Sequence, residues 1–160
     1  MTHFWRNASS AAIAAAFMAM SLPTPGAVAS VSPTEGAWTI DQKVAVQFFD
    51  CRPKLCGRLT WMKTPRNAQG QLKRDKNNPD PALRARRMCG PTIIWNLHPD
   101  GPSRWEDGWF YNPDDGETYN VAVERTTNGV MEARIYAGLP LLGTTKSLHQ
   151  IPQGTSAGWC

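Results

Sequence analysis

The polar segment 75–80 is the first place where residue types and spacing could do chemistry, because acidic and amide side chains alternate along it. Such side chains are the ligands of a calcium loop, but the segment lacks that loop's central glycine and closing glutamate. Two prolines, one of them Pro81, also stiffen the chain. The pattern favours Asx side chains that bond the local backbone, with Asp80 as N-cap and Pro81 in the first position of a short helical turn. We therefore expect no metal site here.

The remaining polar residues show no catalytic arrangement. His98 and His149 have no partner at metal-ligand spacing, the serines lie outside any nucleophile elbow, and no glycine-rich phosphate loop is present. Asp114, Asp115 and Glu117 surround a Pro-Asp-Asp-Gly turn, where neighbouring carboxylates are typical of turn chemistry. The sequence therefore predicts a protein that is not an enzyme and that uses neither metal nor cofactor.

Tryptophan is the unusual component of the composition. A buried indole needs a partner for its N–H group, whereas an indole in a pocket offers stacking area. Most of these rings are expected in the core, but a small barrel with inward aromatic residues also suits an apolar or ring-bearing ligand. The tryptophans downstream of residue 29 are Trp38, Trp61, Trp95, Trp105, Trp109 and Trp159.

Residues 1–29 are predicted to be a signal peptide. Arg6 precedes an apolar run over 8–22, and Ala27-Val28-Ala29 gives the small-x-small pattern that signal peptidase recognises before Ser30. The run is too short to span a bilayer comfortably, and no later segment reaches the roughly 20 apolar residues that a span needs. An uncleaved membrane anchor is the alternative. We expect a periplasmic or secreted protein with no membrane span.

Cleavage would leave residues 30–160, which is the length of one domain with a core of its own. The formal charge of +4 would fall to about +3, since Arg6 is lost with the signal. The charges are predicted to be scattered, with clustering only at Arg84, Arg86 and Arg87. Nucleic acid, which needs a basic patch or stripe, is therefore not an expected partner.

Four cysteines lie in the predicted mature chain: Cys51, Cys56, Cys89 and Cys160. An even number in an exported chain indicates disulfides, and four cysteines allow three pairings. Cys51 and Cys56 flank a short turn between two strand-like runs, which favours a bridge between them and leaves Cys89 for Cys160. A zinc site is the competing interpretation, but one cysteine pair four residues apart is a weak zinc signal.

Hydrophobicity with a period of two recurs along the chain, which is typical of half-buried antiparallel strands. Asp-Gly and Asn-Gly pairs at 100–101, 115–116 and 128–129 predict tight hairpin turns. About eight short strands of this kind form a sandwich or an up-and-down barrel. The runs are GAWTI from residue 36, KVAVQFF from 43, GRLTWMK from 57, TIIWNLH from 92, RWEDGWFY from 104, TYNVAVE from 118, VMEARIYA from 130 and TTKSLHQI from 144.

One connection is far longer than the others. Close to 30 residues without a strand signal separate GRLTWMK from TIIWNLH, whereas a hairpin loop usually has two to five. A loop of this length is commonly functional or covers another part of the protein. We expect a structured lid or plug at the end of the barrel.

Several strings together resemble a bacterial family known as domain of unknown function 2147: GAW at 36–38, LCGRLTWMK, DKNNPDPALR, WEDGWFYNPDDGETY and GLPLLGTT. The resemblance covers residues 36 to about 151 in order. It implies a small exported protein with a compact antiparallel β-barrel similar to the lipocalins, and Gly36-x-Trp38 resembles the lipocalin opening motif. The family brings no established activity, so no catalytic residues are carried over.

We therefore predict an all-β fold, a small antiparallel up-and-down β-barrel of about eight strands with one long polar loop. The predicted function is binding of a small apolar or amphipathic ligand or a cell-envelope component. The alternatives are a filled barrel that acts as a scaffold for a protein partner in the envelope, and a hydrolase. Arg84 and Arg86 are expected at the lip, where they could meet an anionic head group. The predicted lining residues share one face of neighbouring strands: Leu59, Trp61, Ile93, Trp95, Trp109, Tyr111, Tyr119, Val121 and Ile135.

Overall fold

A computed structural model describes Met1, residues 36–151 and Cys160. The predicted signal peptide, with its cleavage site at Ala29 and Ser30, lies outside the described residues. Two short 3-10 turns, Pro81–Leu83 and Pro140–Leu142, accompany the strands. The strands are β1 (Ala37–Ile40), β2 (Val44–Asp50), β3 (Leu55–Met62), β4 (Thr92–Pro99), β5 (Arg104–Asn112), β6 (Glu117–Arg125), β7 (Met131–Tyr136) and β8 (Thr144–Gln150).

The eight strands form a closed antiparallel barrel in chain order. Each strand pairs with the next, and β1 pairs with β8 through Trp38 opposite Gln150 and Ile40 opposite Leu148. Closure leaves no unpaired strand edge in the sheet, which removes the usual site of edge-to-edge aggregation. The predicted all-β, eight-stranded barrel is confirmed. Within the described ranges, no helix has the length and apolar character required to cross a bilayer.

The middle and one end of the barrel are filled with side chains. This end holds the β2–β3, β4–β5 and β6–β7 turns, and we call it the closed end. Inner-face glycines show how tightly it is packed, since a Cβ at Gly57 would lie 2.9 Å from Val46 and one at Gly108 would lie 2.6 Å from Leu97. Eight inward side chains here are less than 2% exposed: Trp38, Val46, Phe48, Leu97, Val121, Val123, Met131 and Leu148.

β-Bulges in three consecutive strands break the period of two. In β3, Val46 pairs with Leu59 while its neighbour Ala45 pairs with Trp61, so β3 holds one extra residue. β4 has two residues between those that face Leu55 and Gly57, and one of the two, Asn96, has a φ of 66°. β5 has an extra residue between Trp105 and Gly108. Each extra residue moves the side chains beyond it to the other face of the sheet.

The bulges correct part of the predicted lining. Trp61 shares the outer face with Ala45, and Trp95 pairs with Trp109 on the outer face. Trp109 is 39% exposed. Tyr111 is the next outward residue of β5, since Phe110 between them faces inward. The prediction that Trp61, Trp95, Trp109 and Tyr111 line the interior is therefore wrong, because simple alternation does not survive an inserted residue.

The loop over residues 63–91, called the long loop below, folds back on itself. The backbone of Arg66 pairs with that of Leu72, and the backbone of Arg74 with that of Arg87, as two isolated antiparallel bridges. Asp80 caps the turn Pro81–Leu83, and its carboxylate accepts a hydrogen bond from the Ala82 N–H at 2.9 Å. The predicted short helical turn with its Asp cap is confirmed.

Both predicted disulfides are present. Cys51 pairs with Cys56 and Cys89 pairs with Cys160, each with a Cα–Cα distance of 5.8 Å. The Cys160 N–H also donates to the Thr60 carbonyl at 3.0 Å. The second bridge therefore fixes Cys160 beside β3, next to the end of the long loop.

Candidate ligand-binding site at the barrel mouth

The end of the barrel opposite the closed end is lined by apolar side chains that remain partly accessible. The β1–β2, β5–β6 and β7–β8 connections and the long loop meet at this end, which we call the mouth. Strand register places the polar residues Asn112, Glu117, Thr144 and Lys146 on the inward face at this end. It also places six inward apolar and aromatic residues in the outermost layers. These residues form the mouth ring: Ile40, Val44, Met62, Phe110, Tyr119 and Ile135, all of them half-buried. The ring rests on the fully buried core below it.

Tyr119 carries one of the polar groups at the mouth ring. The Tyr119 hydroxyl donates to Asp115 Oδ2 at 3.0 Å, and the same carboxylate accepts the Glu117 N–H at 2.9 Å and Asn112 Nδ2 at 2.7 Å. Asp115 therefore organises the β5–β6 turn, as the sequence predicted. The mouth thus offers an apolar ring with polar side chains at its rim, among them Tyr119 and Lys146, which suits a molecule that has an apolar body and a polar end.

A buried carboxylate attaches the long loop to the barrel wall. Asp75 is 1% exposed. Its Oδ1 accepts the Tyr111 hydroxyl at 2.5 Å, and its Oδ2 accepts Asn78 Nδ2 and Arg86 Nε, both at 2.8 Å. The second guanidinium nitrogen of Arg86 lies 2.7 Å from Oδ2. The carboxylate thus has a donor on each oxygen and a cation beside it, which is the condition for burying a charge.

These contacts also account for the calcium pattern of segment 75–80. Both oxygens of Asp75 accept hydrogen bonds, and one of the donors is a guanidinium. The carboxylate therefore makes structural contacts and does not face a cation site. In the part of the chain that the structure describes, no three His, Cys, Asp or Glu residues are grouped as metal ligands.

The buried pair shifts the pKa values of both of its acids. Burial by itself would raise the pKa of Asp75, but hydrogen bonds from Tyr111, Asn78 and Arg86 and the charge of Arg86 outweigh it and lower that pKa. Burial, followed by the hydrogen bond to Asp75 and its negative charge, raises the pKa of Tyr111 to about 12. Folding therefore favours the ionised Asp75 and the neutral Tyr111.

These shifts predict how stability depends on pH. The contribution of Tyr111 is complete below its unfolded pKa of about 10 and is lost as pH rises toward 12, a loss of about 2 to 3 kcal/mol. The contribution of Asp75 is present above about pH 4 and is lost as pH falls further. The free energy of unfolding, measured in urea at several pH values, should fall less between pH 9 and 11 in the Tyr111→Phe variant than in the native protein. Tyr136→Phe, also on the outer face, is the control and should keep the pH dependence of the native protein. If stability falls equally with pH in Tyr111→Phe and in the native protein, the loss does not come from Tyr111.

A pocket of about 390 Å³ lies between the long loop and the outer wall. It brings together three predicted site residues, Arg86, Trp95 and Tyr111, outside the barrel. The prediction of a lid is therefore wrong for segment 75–86, because this segment packs on the outer face of β4 and β5 and does not cross the mouth. Arg84 bonds the loop itself, through Nε to the Asn78 carbonyl at 2.7 Å. The pocket is lined by Asn78, Pro79, Leu83, Arg86, Thr92, Trp95 and Tyr111.

The predicted lining residues thus divide between the outer wall of the barrel and its interior. Tyr119 and Ile135 belong to the mouth ring, and Leu59, Ile93 and Val121 are buried in the core beneath it. Sequence reasoning missed Ile40, Val44, Met62 and Phe110 as mouth residues. Alternation in β1 and β2 could have found the first two, but the bulges in β3 and β5 conceal Met62 and Phe110.

One family of proteins matches this chain over the whole barrel. The model of the family DUF2147, described as uncharacterized protein conserved in bacteria, matches residues 36–150. The chain belongs to the DUF2147 family. The match covers all eight strands, the long loop and the mouth, so the site described above is built from residues that the DUF2147 model covers.

A solved structure resembles this DUF2147 protein along most of its length. It is protein HP1028 from the human pathogen Helicobacter pylori, described as belonging to the lipocalin family. The two are 27% identical with a TM-score of 0.62, and the alignment covers 74% of this chain and 82% of the other. No curated protein sequence matches the chain.

Proposed function

We propose that this DUF2147 protein is an exported binding protein that holds a small apolar or amphipathic molecule in the barrel mouth. The observation that carries the proposal is the burial gradient along the interior. Most inward side chains below the mouth are buried, with Trp105 of β5 as the exception, whereas every member of the mouth ring is half-buried although it faces inward. An apolar inner surface that remains accessible is typical of a binding site.

The filled closed end limits what the mouth can hold. Trp38, Phe48 and Leu97 occupy the lower interior, so a ligand contacts only the upper layers. An eight-stranded barrel has room for side chains or for one small ligand, and here the two share the interior. A ring system or a short acyl segment suits the mouth ring, with its polar end near Tyr119 and the solvent. The likeness to a protein described as a lipocalin supports the proposal.

Export of the chain is part of the proposal. The pattern of residues 1–29 supports it, and so do the two disulfides, because such bridges persist in oxidising compartments. Binding is proposed in preference to catalysis because the carboxylates Asp75 and Asp115 are both occupied by structural hydrogen bonds. N-terminal sequencing of the exported protein should start near Ser30.

A dansyl-labelled fatty acid can test the mouth as a binding site. Val44→Trp puts a large ring into the mouth ring and should weaken probe binding about tenfold or more, because it occupies the proposed ligand volume. Trp109→Ala removes a larger side chain from the outer wall and should leave probe affinity unchanged. Both affinities would be measured by fluorescence titration, with melting temperatures to show that each variant is folded.

The outcomes separate binding from a scaffold role. If the native protein takes up no probe, and native mass spectrometry of protein purified from its own envelope shows no added mass, the scaffold interpretation replaces the proposal. Weaker probe binding in Trp109→Ala than in Val44→Trp would place the ligand on the outer wall instead.

A further inference from the structure

Three leucines stand out from the barrel at the β7–β8 connection. Leu139, Leu141 and Leu142 are 66%, 87% and 78% exposed, and no residue of the 3-10 turn Pro140–Leu142 is buried. We call residues 139–142 the leucine turn. Single exposed apolar residues are ordinary on a protein surface, whereas three within four residues form a concentrated apolar projection.

Hydrogen bonds from β7 hold the backbone of the leucine turn. Arg134 of β7 donates Nε to the Pro140 carbonyl and a terminal nitrogen to the Leu141 carbonyl, both at 2.9 Å, and its other terminal nitrogen donates to Thr145 Oγ1 at 3.1 Å. Gly143 allows the turn to lie close to β7, since a Cβ there would lie 2.4 Å from the Ile135 carbonyl oxygen. The backbone of the turn is therefore held in a conformation that points the leucines outward.

The mouth end that carries the leucine turn is also basic. The long loop holds eight Lys and Arg against two Asp, and the four connections of the mouth end together hold nine basic against five acidic residues. Sequence reasoning found clustering only at Arg84, Arg86 and Arg87, and the connectivity of the barrel brings further basic residues to the same end. Several of the loop's cations, including Lys63, Arg74, Lys76 and Arg87, are exposed.

The two features lie on opposite sides of the mouth. The leucine turn joins β7 to β8, whereas the long loop joins β3 to β4, and β4 and β8 are four strands apart in the closed order of eight. A small ligand could not contact both sides of the rim from outside at once. A flat surface that meets the barrel end-on could, because both connections leave the barrel at the same end.

We propose that the mouth end docks on an anionic lipid surface, with the leucine turn inserted among the head groups and the long loop bound to their charge. An apolar projection combined with basic residues is the pairing that holds peripheral proteins on membranes. Neither part is sufficient alone, because the leucines are few and the net charge is modest. The surface is a lipid bilayer in preference to a protein, since the charges and leucines are spread around a rim and form no continuous groove.

Co-sedimentation with large unilamellar vesicles tests the docking. Vesicles of phosphatidylglycerol and phosphatidylcholine should bind the protein, and vesicles of phosphatidylcholine alone should bind it about tenfold or more weakly. Leu141→Glu keeps the backbone carbonyl that Arg134 binds and should reduce binding to anionic vesicles about tenfold. The double variant Lys63→Glu, Lys76→Glu should reduce it similarly, and raising the salt concentration should weaken binding of the native protein.

Thr127→Glu is the matched control, because it adds the same charge at an exposed site in the β6–β7 turn of the closed end. It should bind vesicles as the native protein does. Equal binding by Leu141→Glu and the native protein, or equal loss in Thr127→Glu, would overturn the end-on geometry. Absence of binding to either vesicle would overturn the proposal and favour a protein surface. Fatty-acid probe uptake without vesicles is a separate readout, so docking can fail while ligand binding stands.

Discussion

Replacing Phe48 by alanine is expected to lower the free energy of unfolding by about 3 to 5 kcal/mol. Phe48 is fully buried in β2, where it faces Gly57 across the strand pair. Val46 and Ile94 occupy the space in front of that glycine, and the surrounding strands are tied into a closed sheet that cannot collapse inward freely. The lost transfer free energy and the remaining cavity therefore add together. Urea unfolding of the native and variant proteins at pH 7 measures the difference.

Phe48→Leu is the control for this change, because it keeps most of the buried volume and should cost less than half as much. A loss below about 1 kcal/mol for Phe48→Ala would mean that the closed end is not tightly packed. The limit set above on ligand size would then fail. Fatty-acid probe affinity should change little in either variant, since Phe48 lies below the mouth ring.

Removing the Cys89–Cys160 bridge should cost about 4 kcal/mol. The bridge closes a loop of 71 residues, and the entropy that a crosslink removes from the unfolded chain rises with the length of the loop it closes. The Cys51–Cys56 bridge, with a separation of only 5 residues, should contribute about 2 kcal/mol by the same reasoning. Urea unfolding of the double variants Cys89→Ser, Cys160→Ser and Cys51→Ser, Cys56→Ser compares the two.

Peptide mapping without reductant supplies the control for this comparison. It should show the two bridges described above in the native protein and only the remaining bridge in each double variant. A larger loss of stability in the Cys51→Ser, Cys56→Ser variant than in the other would contradict the loop-length argument. It would show that the short bridge holds the β2–β3 turn in a way that chain entropy does not describe.

The sequence predicted the architecture because most strands keep a strict period of two and end in recognisable turns. β6 shows this well, since alternation along TYNVAVE predicts Tyr119, Val121 and Val123 on one face, and the three share the inward face. In β5 the same rule failed at Gly108, because the extra residue before it has no hydrophobic signature. The fold was therefore predictable from patterns, whereas the composition of the mouth depended on the bulges in β3, β4 and β5, which alternation does not reveal.

The attachment of the long loop shows a second limit. The Asn and Asp residues of 75–80 predicted local turn chemistry, and Asp80 does cap a turn. Asp75 instead bonds Tyr111, 36 residues away. The local sequence marks Asp80 as a cap, because Pro81 follows it, but it gives no sign that Asp75 bonds the barrel wall. Contacts between distant segments depend on the assembled fold, and single-sequence patterns carry little information about them.

The Cys89–Cys160 bridge also determines how the protein bears mechanical load. The strands β4 to β8 lie between the two bridged residues, so they belong to one covalent ring. A tensile force applied between β1 and Cys160 passes through the crosslink to Cys89 and does not run along those five strands. Only β1, β2 and β3 can be peeled away, and about 240 Å of contour length stays shielded inside the ring while the bridge is oxidised. Reduction of one bond would convert a short, stiff tether into a long, extensible one.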